Sequence, residues 1–452
     1  DQRRHGTAGH HGPHAPAGRY PTGEGDVPLL PGTVRLPRSR DGRGQLAAED
    51  LRAHHERVGP RPTGSPELVG IVEHAGLTGQ GGAHAPTAAR WRRAVDRLPG
   101  VRVVVANGAE SEPLSGKDAT LLRARPHLVL DGLELVAETL GASRAVVWLH
   151  GDDVSTFRAV AAAVSERAAG PLAGPEPAGW GGRRVRAEVV LAPAHYLAGE
   201  RSAIGRALSG GPVLPVGRPA PDAQRPDAGV LVHNVETLAR VAVLARGLTP
   251  SPARLVTVLT PTARVVMSVP PGQSARHVLA RAGWQDEPQA VLLGGYGGQW
   301  VPWATLDDRA LDEPELRRLG LSAGPGIVAP LPAWACGVAE TAAITAYLAT
   351  MSAGQCGPCL FGLPALADHL GRLASGRATR RERTGLMTDL GLVDGRGGCH
   401  HPDGVVRLVR SALTTFAAEV DAHTRGVGLR GGGHRVSEHT RAWFIPVPIT
   451  RE

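Results

Sequence analysis

Three cysteines in the second half of the chain have a spacing that suits a metal centre. Cys356 and Cys359 form a Cys-x-x-Cys pair around Pro358, and Cys399 follows further along. Two thiolates at the start of a helix can bind one soft metal centre, and backbone N–H groups there help to hold negative charge. The spacing predicts an iron-sulfur site. A structural zinc site and a thiol-disulfide pair are alternatives that spacing alone leaves open.

Length and composition limit the class of protein around this site. The chain has 452 residues, too many for one ordinary core, and its four cysteines argue against a disulfide-stapled secreted protein. The most apolar stretch, 327–351, contains Pro330, Pro332 and Glu340, so we expect no membrane span. The net charge of +8 could attract an acidic partner, but no basic run is interleaved with aromatics, which argues against nucleic acid. We expect a protein of a reducing, cytoplasmic compartment.

One lysine and two asparagines stand out in this arginine-rich chain. The 50 basic residues include a single lysine, Lys117, and the asparagines are Asn107 and Asn234. Lysine is a compact point charge, and asparagine offers both a donor and an acceptor. We expect all three to be kept where no other residue type fits, because each falls within a motif-like stretch.

The elements before the cysteines predict a layered α/β domain. Ser65 is the expected N-cap of a helix at 67–74, which leads into a glycine-rich loop that could approach a phosphate; a mobile surface loop is the alternative. Strands are predicted at 101–106, 145–149 and 185–191, with helices at 126–140 and 154–169 between them. This order predicts a doubly wound layer, whose strand ends are where open sheets bind ligands.

The order of several motifs resembles one protein family. The chain runs from a glycine-rich loop ending in Pro-Thr, through Asn-Gly-Ala-Glu-Ser-Glu-Pro with Lys-Asp, Tyr-Leu-Ala-Gly-Glu and Asn-Val-Glu-Thr-Leu, to the cysteine cluster. From about residue 65 to 425 this order resembles the NADH-binding flavoprotein subunit of respiratory complex I. Related subunits occur in bidirectional hydrogenases and formate dehydrogenases.

The resemblance implies which residues bind the cofactors. The positions matched to flavin-binding positions are Gly79, Gly81, Gly82, Arg90, Asn107, Glu110, Gly199, Glu200, Asn234 and Thr237. Glu112 and Tyr196 match positions on the nicotinamide side. Both asparagines therefore fall on flavin positions, and Lys117 matches the family's Lys-Asp pair.

Other residues depart from the family pattern. Ala85 stands where the family stacks the dinucleotide on Phe, and Arg201 stands where it has Glu. The remaining departures at matched positions are Thr78, Gln80, Arg90, Ala109 and His233. Because a reversed charge changes which ligand suits a site, Arg201 could favour a phosphorylated nicotinamide or another acidic donor.

The resemblance also implies that Cys356, Cys359 and Cys399 bind a 4Fe-4S cluster, although Ala353 occupies the position of the family's first ligand. One iron would then be bound by His400, His401, water or a partner, and a 3Fe-4S cluster is the alternative. Cys336 matches no ligand position, and we expect it to be a buried apolar residue; the alternative is that it substitutes for the missing ligand.

The predicted fold is α/β, with a doubly wound FMN-binding domain, a small β-grasp (SLBB-like) domain and a C-terminal four-helix iron-sulfur domain. The expected boundaries are a disordered tail at 1–27, the three domains at 28–250, 251–330 and 331–425, and a mobile tail at 426–452. The four helices of the last domain are predicted at 337–351, 360–373, 384–392 and 405–423.

The resemblance implies an NAD(P)H dehydrogenase subunit, in which electrons from NADH or NADPH pass through FMN to the cluster and then to a ferredoxin-like or membrane-bound partner. Such a partner would place the chain at the inner face of the membrane. Catalysis of this type depends on positioning the cofactors, so we predict no acid-base catalytic residue. The alternatives are a non-catalytic relay or assembly subunit that kept the fold and the cluster, and a zinc-containing binding protein without flavin.

Overall fold

A computed structural model of the chain describes residues 26–37, 46–97, 100–169, 184–217, 227–425 and 443. The predicted tails at 1–27 and 426–452 lie outside the described residues, apart from Asp26, Val27 and Trp443. Val27 bridges Pro250 in parallel. The ring of Trp443 packs edge-on against Trp284 at 6.0 Å.

The described residues contain ten strands and sixteen α-helices. The strands are β1 (Val34–Pro37), β2 (Val103–Asn107), β3 (Arg144–His150), β4 (Ala187–Ala192), β5 (Val230–Asn234), β6 (Arg254–Leu259), β7 (Ala263–Val269), β8 (Ala290–Leu293), β9 (Gln299–Pro302) and β10 (Ile327–Leu331). The first eight helices are α1 (Leu51–Val58), α2 (Glu67–His74), α3 (Thr87–Val95), α4 (Lys117–Ala124), α5 (Pro126–Thr139), α6 (Val154–Ala169), α7 (Arg201–Leu208) and α8 (Val235–Leu244). The others are α9 (Ala275–Ala282), α10 (Trp303–Leu306), α11 (Glu313–Arg318), α12 (Gly337–Thr350), α13 (Leu363–Ala374), α14 (Arg380–Val393), α15 (His401–Thr415) and α16 (Ala417–Arg425).

A four-stranded parallel sheet in the order β4-β3-β2-β5 forms the first layer. The apolar residues of β2 are buried, as expected for a strand covered on both faces. On one face α5 packs so closely on α8 that a Cβ on Gly132 would lie 1.9 Å from the carbonyl oxygen of Leu238. The three predicted strands are present, but β5 was missed because a five-residue strand gives little periodicity.

A six-stranded mixed sheet follows, in the order β1-β7-β6-β10-β8-β9. Only the pairing of β10 with β6 is parallel within it. The strand β1, which comes from the N-terminal region, pairs with β7 and was not predicted. Its presence shows that residues far apart in the chain share this sheet.

The helices after residue 336 differ from the prediction in their ends. The segment predicted at 405–423 is two helices, α15 and α16, which meet at Phe416. The ring of Phe416 packs at 5.1 Å from that of Trp300 and fills the space beside Gly337, where a Cβ would lie 2.4 Å from it. The predicted helix at 360–373 begins as a π-helical turn, Pro358–Gly362. In the described residues, no helix is both long and apolar enough to cross a membrane.

The prediction that Ser65 caps α2 was wrong. Pro66 is the N-cap residue of this helix, and no side chain caps it. Proline is well suited to a helix start because its φ is already helical and a first-turn N–H is not needed. The helix bounds themselves, Glu67–His74, agree with the prediction.

Candidate functional site

The two asparagines meet at the carboxyl end of the parallel sheet. Asn107 and Asn234 end β2 and β5 and are paired in the register of the two strands. Asn107 Nδ2 donates to the carbonyl of Gly199 over 2.8 Å, and its Oδ1 accepts from the N–H of Ala109 over 3.2 Å. Asn234 caps α8 and donates through Nδ2 to Asp118 over 2.7 Å. Both side chains therefore hold the loops around the strand ends.

Lys117 lies completely buried beneath these asparagines. Its Nζ is 2.6 Å from Asp118 Oδ1, 3.3 Å from Glu236 Oε2 and 3.3 Å from Asn234 Oδ1. Burial alone would lower the pKa of Lys117, but Asp118 and Glu236 raise it above the ordinary value. The ammonium group thus stays charged and connects α4, α8 and the end of β5.

The glycine-rich loop crosses the same edge of the sheet. The N–H of Gln80 donates to Thr237 Oγ1 on α8 over 2.9 Å. A Cβ on Gly81 would lie 3.3 Å from Asn234 Cβ, so only a small residue lets the loop pass this closely. In the described part of the chain the N–H of Gly81 has no protein acceptor. The loop can therefore offer a backbone donor to a ligand above the strand ends.

The loop after β4 lies at the same edge of the parallel sheet and contains, among the predicted site residues, Tyr196 and Glu200. Glu200 caps α7 by accepting from the N–H of Ala203 over 2.9 Å. The Tyr196 hydroxyl donates to Glu112 Oε2 over 3.1 Å, and the same oxygen accepts from the N–H of Tyr296 over 3.0 Å. Burial, followed by the Glu112 charge, raises the pKa of Tyr196 well above its ordinary value.

Glu110 and Arg90 lie at different places from the other predicted residues. The Glu110 carboxylate accepts from the N–H groups of Asp118 and Ala119 over 3.1 and 3.2 Å, so it caps the start of α4. Arg90 lies on α3, and its side chain lines a cavity between α3 and α7 together with Arg201. The structure thus groups Glu110 with the Lys117 region and places Arg90 at the edge of the site.

Sequence reasoning missed two residues that shape this site, Trp91 and Glu236. The Trp91 indole donates to His233 Nε2 over 2.8 Å. Burial, with a contribution from Arg90, lowers the pKa of His233 well below its ordinary value, so the ring is neutral and accepts this bond. Glu236 is completely buried, and a carboxylate within an apolar helix was the signal that could have identified it.

Gly199 offers a direct test of the packing at the strand ends. In Gly199→Ala the new Cβ would lie 2.8 Å from the carbonyl oxygen of Ala109 and 2.9 Å from Ser111 Oγ. We expect a loss of about 1–3 kcal/mol in the free energy of unfolding, with reduced flavin content. Denaturant titration and flavin absorbance after purification measure both.

Gly70→Ala is the matched control for this prediction. The methyl group that alanine would add on α2 has no atom within 4 Å, so the change should stabilise the protein by about 0.5–1 kcal/mol. Equal effects of the two changes would contradict the proposed close packing at Gly199.

The three predicted metal-binding cysteines lie near one another at the starts of the C-terminal helices, although in the described residues they do not form a group that could hold a single metal ion. Backbone N–H groups of Gly398 and Cys359 bond to the Cys356 sulfur; burial raises its pKa, but these bonds bring the net value below the ordinary one. Burial and the neighbouring Cys356 raise the pKa of Cys359 to about 11. Burial also raises the pKa of Cys399, although the hydrogen bond from the backbone N–H of His401 lowers it. Donors aimed at sulfur atoms suit thiolates that bind iron.

The two histidines considered for the fourth ligand of the cluster have other hydrogen-bond partners in the structure. His401 Nε2 lies 2.8 Å from the Leu348 carbonyl and must carry a proton to bond to it. The His400 side chain is 97% exposed and pairs with Asp403. Ala353 offers no donor atom. In the described residues, no three His, Cys, Asp or Glu side chains converge on a single metal ion.

The expectation that Cys336 is a buried apolar residue was wrong. Cys336 is only partly buried and caps α12, where its sulfur accepts from the N–H of Ala339. The sulfur also lies 3.3 Å from Glu419 Oε2 and 3.3 Å from His423 Nε2. Burial and the Glu419 charge raise its pKa to about 12, so it remains a thiol that donates to the carboxylate.

The strand-end site and the cysteines adjoin each other. The Tyr196 ring lies 5.5 Å from the ring of His401, two residues beyond Cys399. The charge of Glu200 contributes to the raised pKa of Cys399, which shows that the loop after β4 reaches the cysteine site. A Cβ on Gly398 would lie 3.5 Å from Gly217.

Comparison with known proteins matches two regions of the chain. The Nuo51 FMN-binding domain matches residues 72–243, and the NADH-ubiquinone oxidoreductase-F iron-sulfur binding region matches residues 339–423. The two matches together define an iron-sulfur flavoprotein. They also show that both regions occur here in one chain.

Similar proteins extend the match over most of the chain. The matching subunit of the NADH-quinone oxidoreductase of Escherichia coli is 28% identical over 408 residues, which cover 85% of this chain and 91% of that protein. Subunit HndC of the NADP-reducing hydrogenase of Solidesulfovibrio fructosivorans is 25% identical over 79% of this chain and 76% of its own. The NAD+-reducing [NiFe]-hydrogenase in its H2-reduced state matches with a TM-score of 0.72 and 26% identity, covering 84% of this chain and 68% of that one. The chain is a divergent member of the family of the NADH-binding flavoprotein subunit of complex I.

Proposed function

We propose that the chain is an electron-transfer subunit that takes electrons from NADH or NADPH and delivers them through FMN and an iron-sulfur cluster to a partner protein. The observation that carries this proposal is that the strand-end site adjoins the three cysteines, with Tyr196 and His401 in ring contact. FMN accepts two electrons from a donor and passes them on singly. The names of the similar proteins, which are subunits of NADH- and NADP-linked complexes, support the class of donor.

Several features of the strand-end site fit a flavin. In the loop that contains Gly79, Gly81 and Gly82, Gly81 brings backbone close to Asn234 at the strand end and has an N–H open to a ligand. The walls would be formed by Asn107, Asn234, Thr237, Gly199 and Glu200. Glu112 and Tyr196 would lie on the nicotinamide side, where the Tyr196 hydroxyl keeps its proton and orients the carboxylate.

Cys356, Cys359 and Cys399 would bind the cluster. One iron would lack a cysteine ligand, because Ala353 stands where the family has its first cysteine. We assign the helices after residue 336 to an iron-sulfur domain and the mixed sheet to an SLBB-like β-grasp domain that joins it to the flavin domain. The boundaries at residues 250 and 330 form part of this proposal.

A partner surface is proposed beside the cluster. Leu360 and Phe361 directly follow Cys359 and are 53% and 75% exposed, although both are large and apolar. The two residues are adjacent, and contiguous exposed apolar surface is typical of sites of protein contact. A ferredoxin-like or membrane-bound acceptor could approach the cluster there, and a membrane-bound one would hold the chain at the inner membrane face.

An anaerobic titration of the purified protein with NADH and with NADPH tests the proposed function. We expect a flavin band and a broad iron-sulfur absorption to bleach at about one and a half nucleotides per flavin, because each nucleotide supplies two electrons, FMN takes two and the cluster takes one. Dithionite is the control that reduces both cofactors without a nucleotide site. If dithionite bleaches the bands and neither nucleotide does, the chain is instead a relay for another donor, the second function considered for it.

A further inference from the structure

The tip of the glycine-rich loop contacts the region of the mixed sheet. A Cβ on Gly82 would lie 3.1 Å from the carbonyl carbon of Gly324 and 3.3 Å from the nitrogen of Pro325, in the turn that leads into β10. The start and the end of the loop are joined, because the N–H of Gly79 donates to the carbonyl of Ala85 over 2.9 Å. The loop that offers a backbone donor to a ligand is therefore supported from the side of the mixed sheet.

His84 has an unusual backbone conformation within this loop. Its φ is +47°, and it is the only described residue other than glycine with a positive φ. A side chain makes this left-handed region unfavourable, so a residue with a Cβ stays there only when its surroundings hold it. The backbone of His84 therefore needs a contact that fixes it.

The side chain of His84 makes such a contact with Glu313 on α11. His84 Nε2 lies 3.2 Å from Glu313 Oε2, and the two side chains are 7% and 19% exposed. The other oxygen of Glu313 is held by Arg317 Nε at 3.0 Å. Arg254 on β6 lies 3.9 Å from Glu313 and donates to the carbonyl of Gly324. These contacts join the loop, α11 and the turn before β10.

The His84 ring is neutral at neutral pH. Burial, followed by the charges of Arg254 and Arg317, lowers the pKa of His84 to about 4. A neutral imidazole carries one proton, and only the tautomer with that proton on Nε2 is attracted to the Glu313 carboxylate. A neutral acceptor in place of the carboxylate can therefore preserve the contact.

We propose that His84 is a positioning residue, which holds the glycine-rich loop against the region of the mixed sheet through Glu313. The contact keeps the loop in its ligand-binding shape before a ligand enters, so less order has to be created on binding. It also fixes the neighbouring Ala85 at the edge of the site. The inference rests on the proposed function only in taking FMN as the ligand.

Two substitutions at each residue test the contact. His84→Gly removes the ring and permits the positive φ, whereas His84→Ala removes the ring and leaves a Cβ in the unfavourable region. Glu313→Ala removes the acceptor, and Glu313→Gln keeps one for the Nε2 proton. Glu315→Ala is the matched control, because it truncates the same residue type on the same helix, where Glu315 pairs with Arg309 and Arg318 instead.

Hydrogen–deuterium exchange of the loop at 76–86 is measured first, by mass spectrometry on the flavin-depleted protein. We expect exchange about tenfold faster in His84→Gly and Glu313→Ala than in the parent protein, as loss of one such contact would give. Glu313→Gln should exchange nearly as slowly as the parent, and His84→Ala should exchange faster than His84→Gly. The double variant His84→Gly, Glu313→Ala should be no faster than either single variant, because both remove the same contact.

The affinity of the same proteins for FMN is the second readout. The dissociation constant, measured by quenching of flavin fluorescence, should rise about five- to tenfold in His84→Gly and Glu313→Ala. It should stay unchanged in Glu315→Ala and nearly unchanged in Glu313→Gln, a rescue that a general loss of stability would not show.

The proposal is overturned if the loop of His84→Gly exchanges as slowly as that of the parent, or if exchange rises while the dissociation constant for FMN stays the same. If Glu313→Ala fails to fold by near-ultraviolet circular dichroism, His84→Gly decides alone, since it adds no atom. A parent protein that binds no FMN would overturn the proposed function instead, and the exchange measurement would still test the contact.

Discussion

Replacing Lys117 with methionine is expected to destabilise the folded chain by about 3–5 kcal/mol. The ammonium group is completely buried and is the cation that Asp118 and Glu236 share at 2.6 and 3.3 Å. Without it, the buried Asp118 carboxylate loses its cation, while Glu236 keeps only its ion pair with Arg240 at 2.9 Å. Denaturant unfolding followed by circular dichroism measures the change in the free energy of unfolding.

Two further variants show whether the loss comes from the unpaired carboxylate. Arg92→Ala removes an ion pair with Glu73 in which both side chains are about half exposed, and it should leave the free energy of unfolding nearly unchanged because water screens such a pair. The double variant Lys117→Met, Asp118→Asn should recover part of the stability, because the carboxylate that lost its cation is then neutral and Glu236 keeps its ion pair with Arg240. A single variant as stable as the parent protein would show that Lys117 does not hold the strand ends together.

Serine in place of Cys356 or Cys399 is expected to remove most of the bound iron and the broad iron-sulfur absorption. A serine hydroxyl is a poor ligand for a soft iron centre, and with Ala353 present only three cysteines are available. Flavin content should change little, since the strand-end residues belong to the parallel sheet and its loops. Iron analysis and visible absorption after anaerobic purification measure both cofactors.

Cys336→Ser is the control for the cysteine variants. Its sulfur contacts Glu419 and His423 and remains a thiol, so serine should preserve the cluster at a modest cost in stability. Ala353→Cys tests the fourth position from the other direction. A new thiolate there should change the electron paramagnetic resonance spectrum of the reduced cluster. Iron retained in both Cys356→Ser and Cys399→Ser would contradict the assignment of these ligands.

The pattern of apolar and polar residues along the sequence predicted most strands of the four-stranded parallel sheet and the helices between them. The predicted helix at 154–169 has the bounds of α6, and the strands around 103–106, 145–149 and 187–191 lie where the apolar runs predicted them. Long amphipathic or fully apolar segments encode their own structure, because burial of one face or both dominates their energy. Motif order likewise identified the family.

Short elements and long-range partners were decided by the tertiary structure. β1 and β5, of four and five residues, owe their existence to β7 and β2, and no local pattern indicates them. Phe416 divides the last predicted helix because its ring packs on Trp300, which lies far earlier in the chain.

The sequence by itself determined that a glycine-rich loop, two asparagines, one lysine and three cysteines belong to a flavin and iron-sulfur protein. It could not show that Asn107 and Asn234 lie side by side or that Glu236 shares the charge of Lys117. Such pairings join residues from separate strands and helices. Only the packing of those elements brings their charges within the few ångströms at which ion pairs and hydrogen bonds form.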